Sequence, residues 1–236
     1  MLKDKNVLVV GATGGIGAAV TKLLAPSGAN LFLTGRDGDK LAGLAMAAGL
    51  GKHQYQAADL TNSIQVNQLK ESFFKSYPTI DILINASGLG IIKATENLTH
   101  EDFLHSLQVN LVAPFLLMKA FLPSMKEAKK GLVINIPGVL GKVPMAGAAA
   151  YSASKYGLVG MMQSIREEVK RTEIRITNIF LGGTDSPFWD NIELKVQREK
   201  MVTAEDAAKS IWFLCQQPVS GVVSEMVLQP FNHQAI

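Results

Sequence analysis

The 236-residue sequence predicts a single α/β domain over residues 1–236, a doubly wound, seven-stranded parallel sheet flanked by helices on both faces. Strand-like and helix-like segments alternate from end to end, with no internal repeat and no linker. The first apolar run, Val7-Leu8-Val9-Val10, has no polar alternation, as a strand buried on both faces requires. It leads directly into a glycine turn, Gly11-Ala12-Thr13-Gly14-Gly15-Ile16-Gly17, that opens a helix.

After that turn, Ile16 to Leu24 takes up helical spacing and Leu31-Phe32-Leu33 makes the second strand. The Ala/Leu-rich stretch 39–48 is a helix, His53 to Ala57 the third strand, and Ile64 to Phe74 a helix capped by Thr61 or Asn62. Ile80 to Ile84 is the fourth strand. Thr99 to Met125 is a long helix, started by Thr99 with Glu101 and Asp102 in its first turn, and kinked or divided by Pro114. Leu132 to Ile136 is the fifth strand, Ala149 to Lys170 a second long helix, Arg175 to Phe180 the sixth strand, Thr203 to Gln216 the last helix and Glu225 to Leu228 the final strand. The order resembles a Rossmann sheet, whose ligands lie beyond the carboxyl ends of the strands.

Composition narrows the function classes. Hydrophobic residues make up 47% and charged residues 18%, and the net charge of +3 is spread along the chain, so nucleic-acid binding is not expected. No uninterrupted apolar run reaches the roughly 18 residues of a membrane span, and Asp4 and Lys5 ahead of the first strand are unlike a signal peptide. A cytoplasmic location without membrane partners is the expectation. Cys215, beside Trp212, Phe213 and Leu214, reads as a buried structural thiol. His53, His100, His105 and His233 share no ligand spacing, so no metal site is expected.

In the glycine turn, Gly11 closes the strand, Gly15 leaves room for a pyrophosphate and Gly17 lets the helix approach the sheet, while the helix N-terminus offers unpaired N–H groups to phosphates. By itself such a turn also suits a ligand-free strand-to-helix connection. The end of the second strand carries Gly35 where an NAD-selective chain places an acid, followed by Arg36, which favours NADP(H) over NAD(H). Asp37 and Asp39 are the counter-indication, since either could neutralise Arg36. Tyr151 and Lys155 lie one helical turn apart, an arrangement suited to carbonyl/alcohol chemistry with a nicotinamide and common by chance on amphipathic helices.

Taken in order, these motifs resemble those of the short-chain dehydrogenase/reductase (SDR) family over nearly the whole chain. Val10 to Gly17 is similar to its Thr-Gly-x-x-x-Gly-x-Gly, with valine leading and with Gly11, Thr13, Gly14, Gly15, Ile16 and Gly17 as cofactor contacts. Asp59-Leu60 matches the acidic-apolar pair that meets adenine, and Asn85-Ala86-Ser87-Gly88 the Asn-Asn-Ala-Gly stretch. Asn110 matches the asparagine that holds a proton-relay water, and Tyr151 and Lys155 match the catalytic pair. The resemblance implies hydride transfer at the nicotinamide, with Tyr151 exchanging a proton with the substrate oxygen and Lys155 lowering the phenol's pKa from about 10.

Two departures stand out. Gly138, in Asn135-Ile136-Pro137-Gly138-Val139, occupies the place of the family's serine, a donor to the substrate oxygen; losing one such donor costs on the order of 10²- to 10³-fold in rate. A nearby hydroxyl such as Ser87 could replace it, the substrate could bring its own donor or need the space, or the chain could have lost its reaction. After the sixth strand, Leu181-Gly182-Gly183-Thr184-Asp185-Ser186 replaces Pro-Gly and a threonine; Gly183 and Ser186 remain as nicotinamide-side contacts. Residues 186–201 form an expected substrate lid, with Phe188 and Trp189 either on the site or in the core. Gly138, Val139, Met145, Phe188 and Trp189 make the expected substrate pocket mostly apolar.

The function expected from the sequence is an NADP(H)-dependent oxidoreductase of a small or medium apolar carbonyl or alcohol. The alternative is a catalytically weak or silent cofactor-binding protein acting by interaction or redox sensing. The family resemblance also implies a homodimer or homotetramer joined through the helices at 99–125 and 149–170.

Overall fold

A computed structural model describes residues 2–218 and 220–231; the predicted metal-site exclusion at His233 falls outside them. Seven parallel strands make one sheet in the order β3-β2-β1-β4-β5-β6-β9: β1 Asn6–Val10, β2 Asn30–Gly35, β3 Tyr55–Ala57, β4 Ile82–Asn85, β5 Lys130–Asn135, β6 Glu173–Leu181 and β9 Glu225–Leu228. The order reverses at β1 and β4, which pair in register from Val7↔Ile82 to Val10↔Asn85. A crevice therefore opens at their carboxyl ends, where the glycine turn begins.

Residue parity along each strand assigns a face. Leu8, Val10, Leu83, Val133 and Ile176 point to one side, where they pack with Phe73, Phe121, Leu158 and Met162. Those side chains come from α3 (Ser63–Ser76), α5 (Ala113–Ala128) and α6 (Ala149–Val169). Val7, Val9, Ile84 and Ile134 point to the other side, against α1 (Gly15–Leu24), α2 (Gly38–Ala47) and α7 (Ala204–Cys215). Each fully buried side chain of this size contributes about 1.5–3 kcal/mol, and continuous apolar strands follow because both faces are covered. Phe73 sits edge-on to Phe121 at 5.6 Å, joining α3 to α5. Cys215 is buried, and burial pushes its thiol up to about 12.

Some boundaries differ from expectation. The third strand starts at Tyr55, because His53 lies in a tight turn, Lys52–Gln54, fastened by the Gln54 side chain on the Gly51 N–H at 2.8 Å. The fourth starts at Ile82, since Asp81 is held by Lys5 and the Asn6 N–H, both at 3.0 Å. Asn62, not Thr61, caps α3, accepting from the N–H groups of Ile64 and Gln65. The fifth strand ends at Asn135, one residue short of Ile136.

The long helix is divided, but not by Pro114. A capping box of Thr99 and Asp102 starts α4 (His100–Leu107), a π-helical turn follows at Gln108–Val112, and α5 begins at Ala113. Pro114 sits in the first turn of α5, where its missing N–H is harmless. The stretch His100–Ala128 has the length and hydropathy (1.3) of a membrane span, yet half of that window is buried inside the protein. A second, two-stranded sheet, β7 Thr184–Asp185 with β8 Val202–Thr203, was not foreseen; strands this short leave no periodicity. It brings together the two ends of the segment predicted as a lid.

Candidate active site

At the carboxyl ends of the strands lies a cavity of about 600 Å³. Of the predicted site residues, Gly14, Gly15, Ile16, Ala86, Gly88, Gly138, Val139, Met145, Tyr151, Lys155, Gly183, Ser186, Phe188 and Trp189 all line it. The others stand behind or beside it. A Cβ on Gly17 would collide with the Gly11 carbonyl, so the turn closes only with glycine there. Gly11 itself has φ +71°, and a Cβ on it would meet the backbone of Ala86 and Ser87 at 2.8–2.9 Å, so the crevice narrows because that side chain is missing.

At the end of β2, a Cβ on Gly35 would come 2.9 Å from the Thr13 hydroxyl, so any side chain there would have to displace that hydroxyl. Arg36 is exposed and makes no side-chain hydrogen bond or ion pair among the described residues. The Asp37 carboxylate caps α2 on the Lys40 N–H at 3.0 Å and pairs with the Lys40 ammonium rather than with Arg36. Asp59 receives the Thr61 N–H at 2.9 Å and the Thr61 hydroxyl at 2.8 Å; these bonds chiefly, with the charge of Arg36 contributing less, hold its carboxyl below the usual range. Leu60 is 8% exposed and packs into the core, so its side chain serves the α3 face. Asn85 donates to Asn135 at 3.3 Å, tying β4 to β5.

α6 presents Tyr151 and Lys155 on one face, one turn apart. Lys155 is 2% exposed; its ammonium donates to the Ile136 carbonyl at 3.3 Å and lies 5.5 Å from the Tyr151 ring centre. Two of its three donors remain for a ligand. Tyr151 is half-buried and lines the cavity, and desolvation pushes its phenol up from its ordinary value. Burial likewise pulls Lys155 down to about 8. Both shifts come from desolvation of the ligand-free site, which disfavours the charged form of each group.

Asn110 lies in the π-helical turn and is wholly buried. Its amide accepts from the Leu89 N–H at 2.9 Å and donates to the Leu89 carbonyl at 2.8 Å and the Ser154 hydroxyl at 3.0 Å. The side chain thus clamps the β4–α4 loop to α6. Ser87, the candidate replacement donor, spends its hydroxyl proton on Asn85 at 2.6 Å. Gly138 has φ +71° and ψ 167°, a combination essentially confined to glycine. A Cβ there would lie 3.7 Å from the Tyr151 hydroxyl and 3.5 Å from the Leu181 carbonyl, in ordinary contact.

Residues 186–201 fold over this site. Phe188 packs 5.8 Å from the Tyr151 ring and 5.2 Å from Trp189, so close to Gly90 that no side chain fits there. Trp189 donates to the Thr184 carbonyl at 2.9 Å. Both aromatics belong to the cavity rather than the sheet core. Arg198 fastens the segment, contacting the Ser186 carbonyl, Asp190 at 2.8 Å and Asp185 at 3.1 Å. A Cβ on Gly15 would come 2.6 Å from the Ser186 Cβ, so the segment's first residues lie on the glycine turn itself. Gln197, Lys200 and Met201, within the expected lid, and Pro230, outside it, also line the cavity; none was singled out from the sequence, where no motif marks them.

The profile of the family described as short chain dehydrogenase matches residues 5–197. An uncharacterized oxidoreductase of Staphylococcus saprophyticus is 31% identical over 232 residues, covering 97% of this chain and 98% of that protein. Among solved structures, a metagenomic short-chain oxidoreductase in complex with NADP superposes with TM-score 0.84 at 30% identity, covering 98% of this chain and 99% of that one. An alcohol dehydrogenase from the archaeon Thermococcus sibiricus, complexed with 5-hydroxy-NADP, matches at TM-score 0.88 and 22% identity over 99% of this chain and 100% of its own, a likeness of fold.

Proposed function

The chain belongs to the short-chain dehydrogenase family, and from that premise we propose that it is an NADP(H)-dependent oxidoreductase of a small or medium, largely apolar carbonyl compound or alcohol. The observation that carries this reading is the convergence of Tyr151, Lys155 and the glycine turn on one cavity at the strand ends. The residues present fit the cofactor. Gly14, Gly15 and Ile16 offer the turn and helix N-terminus to a diphosphate. Gly35 leaves no acid to repel a 2′-phosphate, and Arg36 stands unpaired to receive one by charge-assisted hydrogen bonds. Asp59 would meet the adenine and Ala86, Gly88, Gly183 and Ser186 the nicotinamide half, and Lys155, with two donors left, would hold the ribose hydroxyls.

When bound, the cofactor supplies or accepts a hydride at C4 of its nicotinamide. Tyr151, protonated because burial raises its pKa, gives its phenolic proton to the substrate oxygen as the new C–H bond forms, and solvent restores that proton. The balance is carbonyl plus NADPH plus H⁺ to alcohol plus NADP⁺. Lys155 places the ribose and adds positive charge beside the phenolate left behind. Asn110 holds the loop and α6 in mutual position. Gly138, in place of a serine, keeps the space beside the phenol open, and Val139, Met145, Phe188 and Trp189 supply apolar contact and exclude water, residues 186–201 acting as the lid. Residues 1–236 act as one domain, and exposed Leu104, Phe115 and Tyr156 on the helices at 99–125 and 149–170 support assembly into a homodimer or homotetramer.

The test is NADPH oxidation across ketones and aldehydes with Tyr151→Phe beside the native chain. The expected loss is about 10²- to 10⁴-fold in kcat, with NADPH binding retained. Binding of NADPH by a native chain that turns over none of the panel favours the silent cofactor-binding alternative.

A further inference from the structure

Among the described residues, only two charged side chains line the cavity, Lys155 and Lys200, and no acidic residue does. Lys155 is committed to the Ile136 carbonyl and enclosed beside Tyr151. Lys200 is different. It ends the short turn Arg198–Lys200 at the lid's far end, next to Met201, which packs against Gly183; its backbone N–H donates to the Gln197 carbonyl at 3.0 Å, while its exposed ammonium has no hydrogen bond or ion pair among the described residues. The other cations near the cavity are paired: Arg198 with Asp185 and Asp190, Lys93 with Asp102 at 2.6 Å, and Lys142 with Glu225 at 2.6 Å. Arg198 also fixes the turn that carries Lys200, so the lysine's backbone is anchored at the cavity rim while its side chain stays exposed and without a partner among the described residues. Gln197, whose amide can donate a hydrogen bond, lines the same wall.

We propose that Lys200, with Gln197, binds an anionic group on the substrate, so that the preferred substrate is an oxo acid or hydroxy acid with an apolar body rather than a neutral carbonyl compound. This rests on the oxidoreductase reading and sharpens it. The apolar wall of Val139, Met145 and Phe188 takes the body, Tyr151 meets the reacting oxygen, and the lid supplies the charge for the carboxylate. A carboxylate entering the site finds a cation and no fixed negative charge to repel it, whereas a neutral ester leaves the ammonium without a partner. Because Lys200 rides on the lid, a bound carboxylate also ties the lid to the substrate. The same ammonium could instead meet the cofactor's diphosphate, and the two sources are separable.

The experiment is calorimetric titration of the NADP⁺-loaded protein, in which a carbonyl compound cannot be reduced, with α-, β- and γ-oxo acids of equal length and with their methyl esters. The native chain is expected to bind at least one acid about tenfold more tightly than its ester, the contribution of one hydrogen bond to a charged group. Lys200→Met should abolish that preference while leaving ester and NADP⁺ affinities unchanged, and Lys200→Arg should restore it. Equal binding of acids and esters by the native chain overturns the proposal, as does a preference that survives Lys200→Met. Weakened NADP⁺ binding in Lys200→Met, with the acid preference intact, would assign the lysine to the diphosphate. The NADP⁺ titration that precedes these runs keeps the two readings apart: absence of NADP⁺ binding refutes the NADP(H)-dependent reading. The acid-against-ester comparison, repeated on the cofactor-free chain, decides the anion preference by itself.

Discussion

Replacing Gly138 by alanine probes the backbone and the chemistry together. At φ +71° and ψ 167° a side chain is strained wherever it points, a cost of about 1–3 kcal/mol. Crowding adds little, since the new Cβ would sit 3.5 Å from the Leu181 carbonyl and 3.7 Å from the Tyr151 hydroxyl. Rotating the backbone out of this region is resisted on one side by Pro137 and on the other by the Gly141 N–H, bonded to the Gly138 carbonyl at 3.0 Å. Gly138→Ala is therefore expected to lose about 1–3 kcal/mol, read as a lower urea midpoint at unchanged m-value. If the loop shifts instead, the Ile136 carbonyl moves with it and Lys155 loses its 3.3 Å anchor, so kcat falls while folding stability is kept. Gly138→Ser carries the same backbone strain, so introducing the family's serine is expected to lower activity rather than raise it. Unchanged stability in Gly138→Ala together with faster turnover in Gly138→Ser would refute a glycine-only backbone and mark the residue as a lost donor.

Two further predictions follow from charge. Arg36→Ala should weaken NADPH by about 10- to 100-fold, the range of hydrogen bonds to a charged group, and leave NADH unchanged, as read by fluorescence titration; equal losses for both would remove Arg36 from the 2′-phosphate. For Lys155 the ligand-free pKa is near 8, below the 10.5 of a free lysine. Binding an anionic cofactor favours the ammonium, so NADPH affinity should be full below about 8 and fall as pH rises through it, a trend that Lys155→Met should abolish. Folding stability has its own sign: between about 8 and 10.5 the unfolded lysine keeps a proton that the buried one has released, so this group's contribution rises with pH across that window.

Much of the fold was legible because its signals are local. Val7 to Val10 is apolar at every position, Thr99 and Asp102 cap a helix within four residues, and Tyr151 and Lys155 share a helical face by spacing alone. The division of the long helix was legible only in part: Pro114 pointed to a break, while the widened turn at Gln108–Val112 lies just before it. Asn110 bonds both backbone groups of Leu89 within that turn, a partnership far along the chain that no periodicity announces.

The sequence by itself determined the parallel sheet, the glycine turn and the helical face that carries Tyr151 and Lys155, since strand burial and residue spacing are written within a few neighbouring positions. Tertiary structure alone decided which groups are free to act. Asp37 turned out to be spent on its own helix and Arg36 was left unpaired; Ser87 gave its proton to Asn85; Phe188 was laid on Tyr151 and Lys200 on the cavity wall. Gly138 acquired a backbone angle that only a glycine tolerates. Pairing, burial and loop angles are set by contacts between distant segments, and a residue's letter does not say whether its charge, proton or torsion has already been taken.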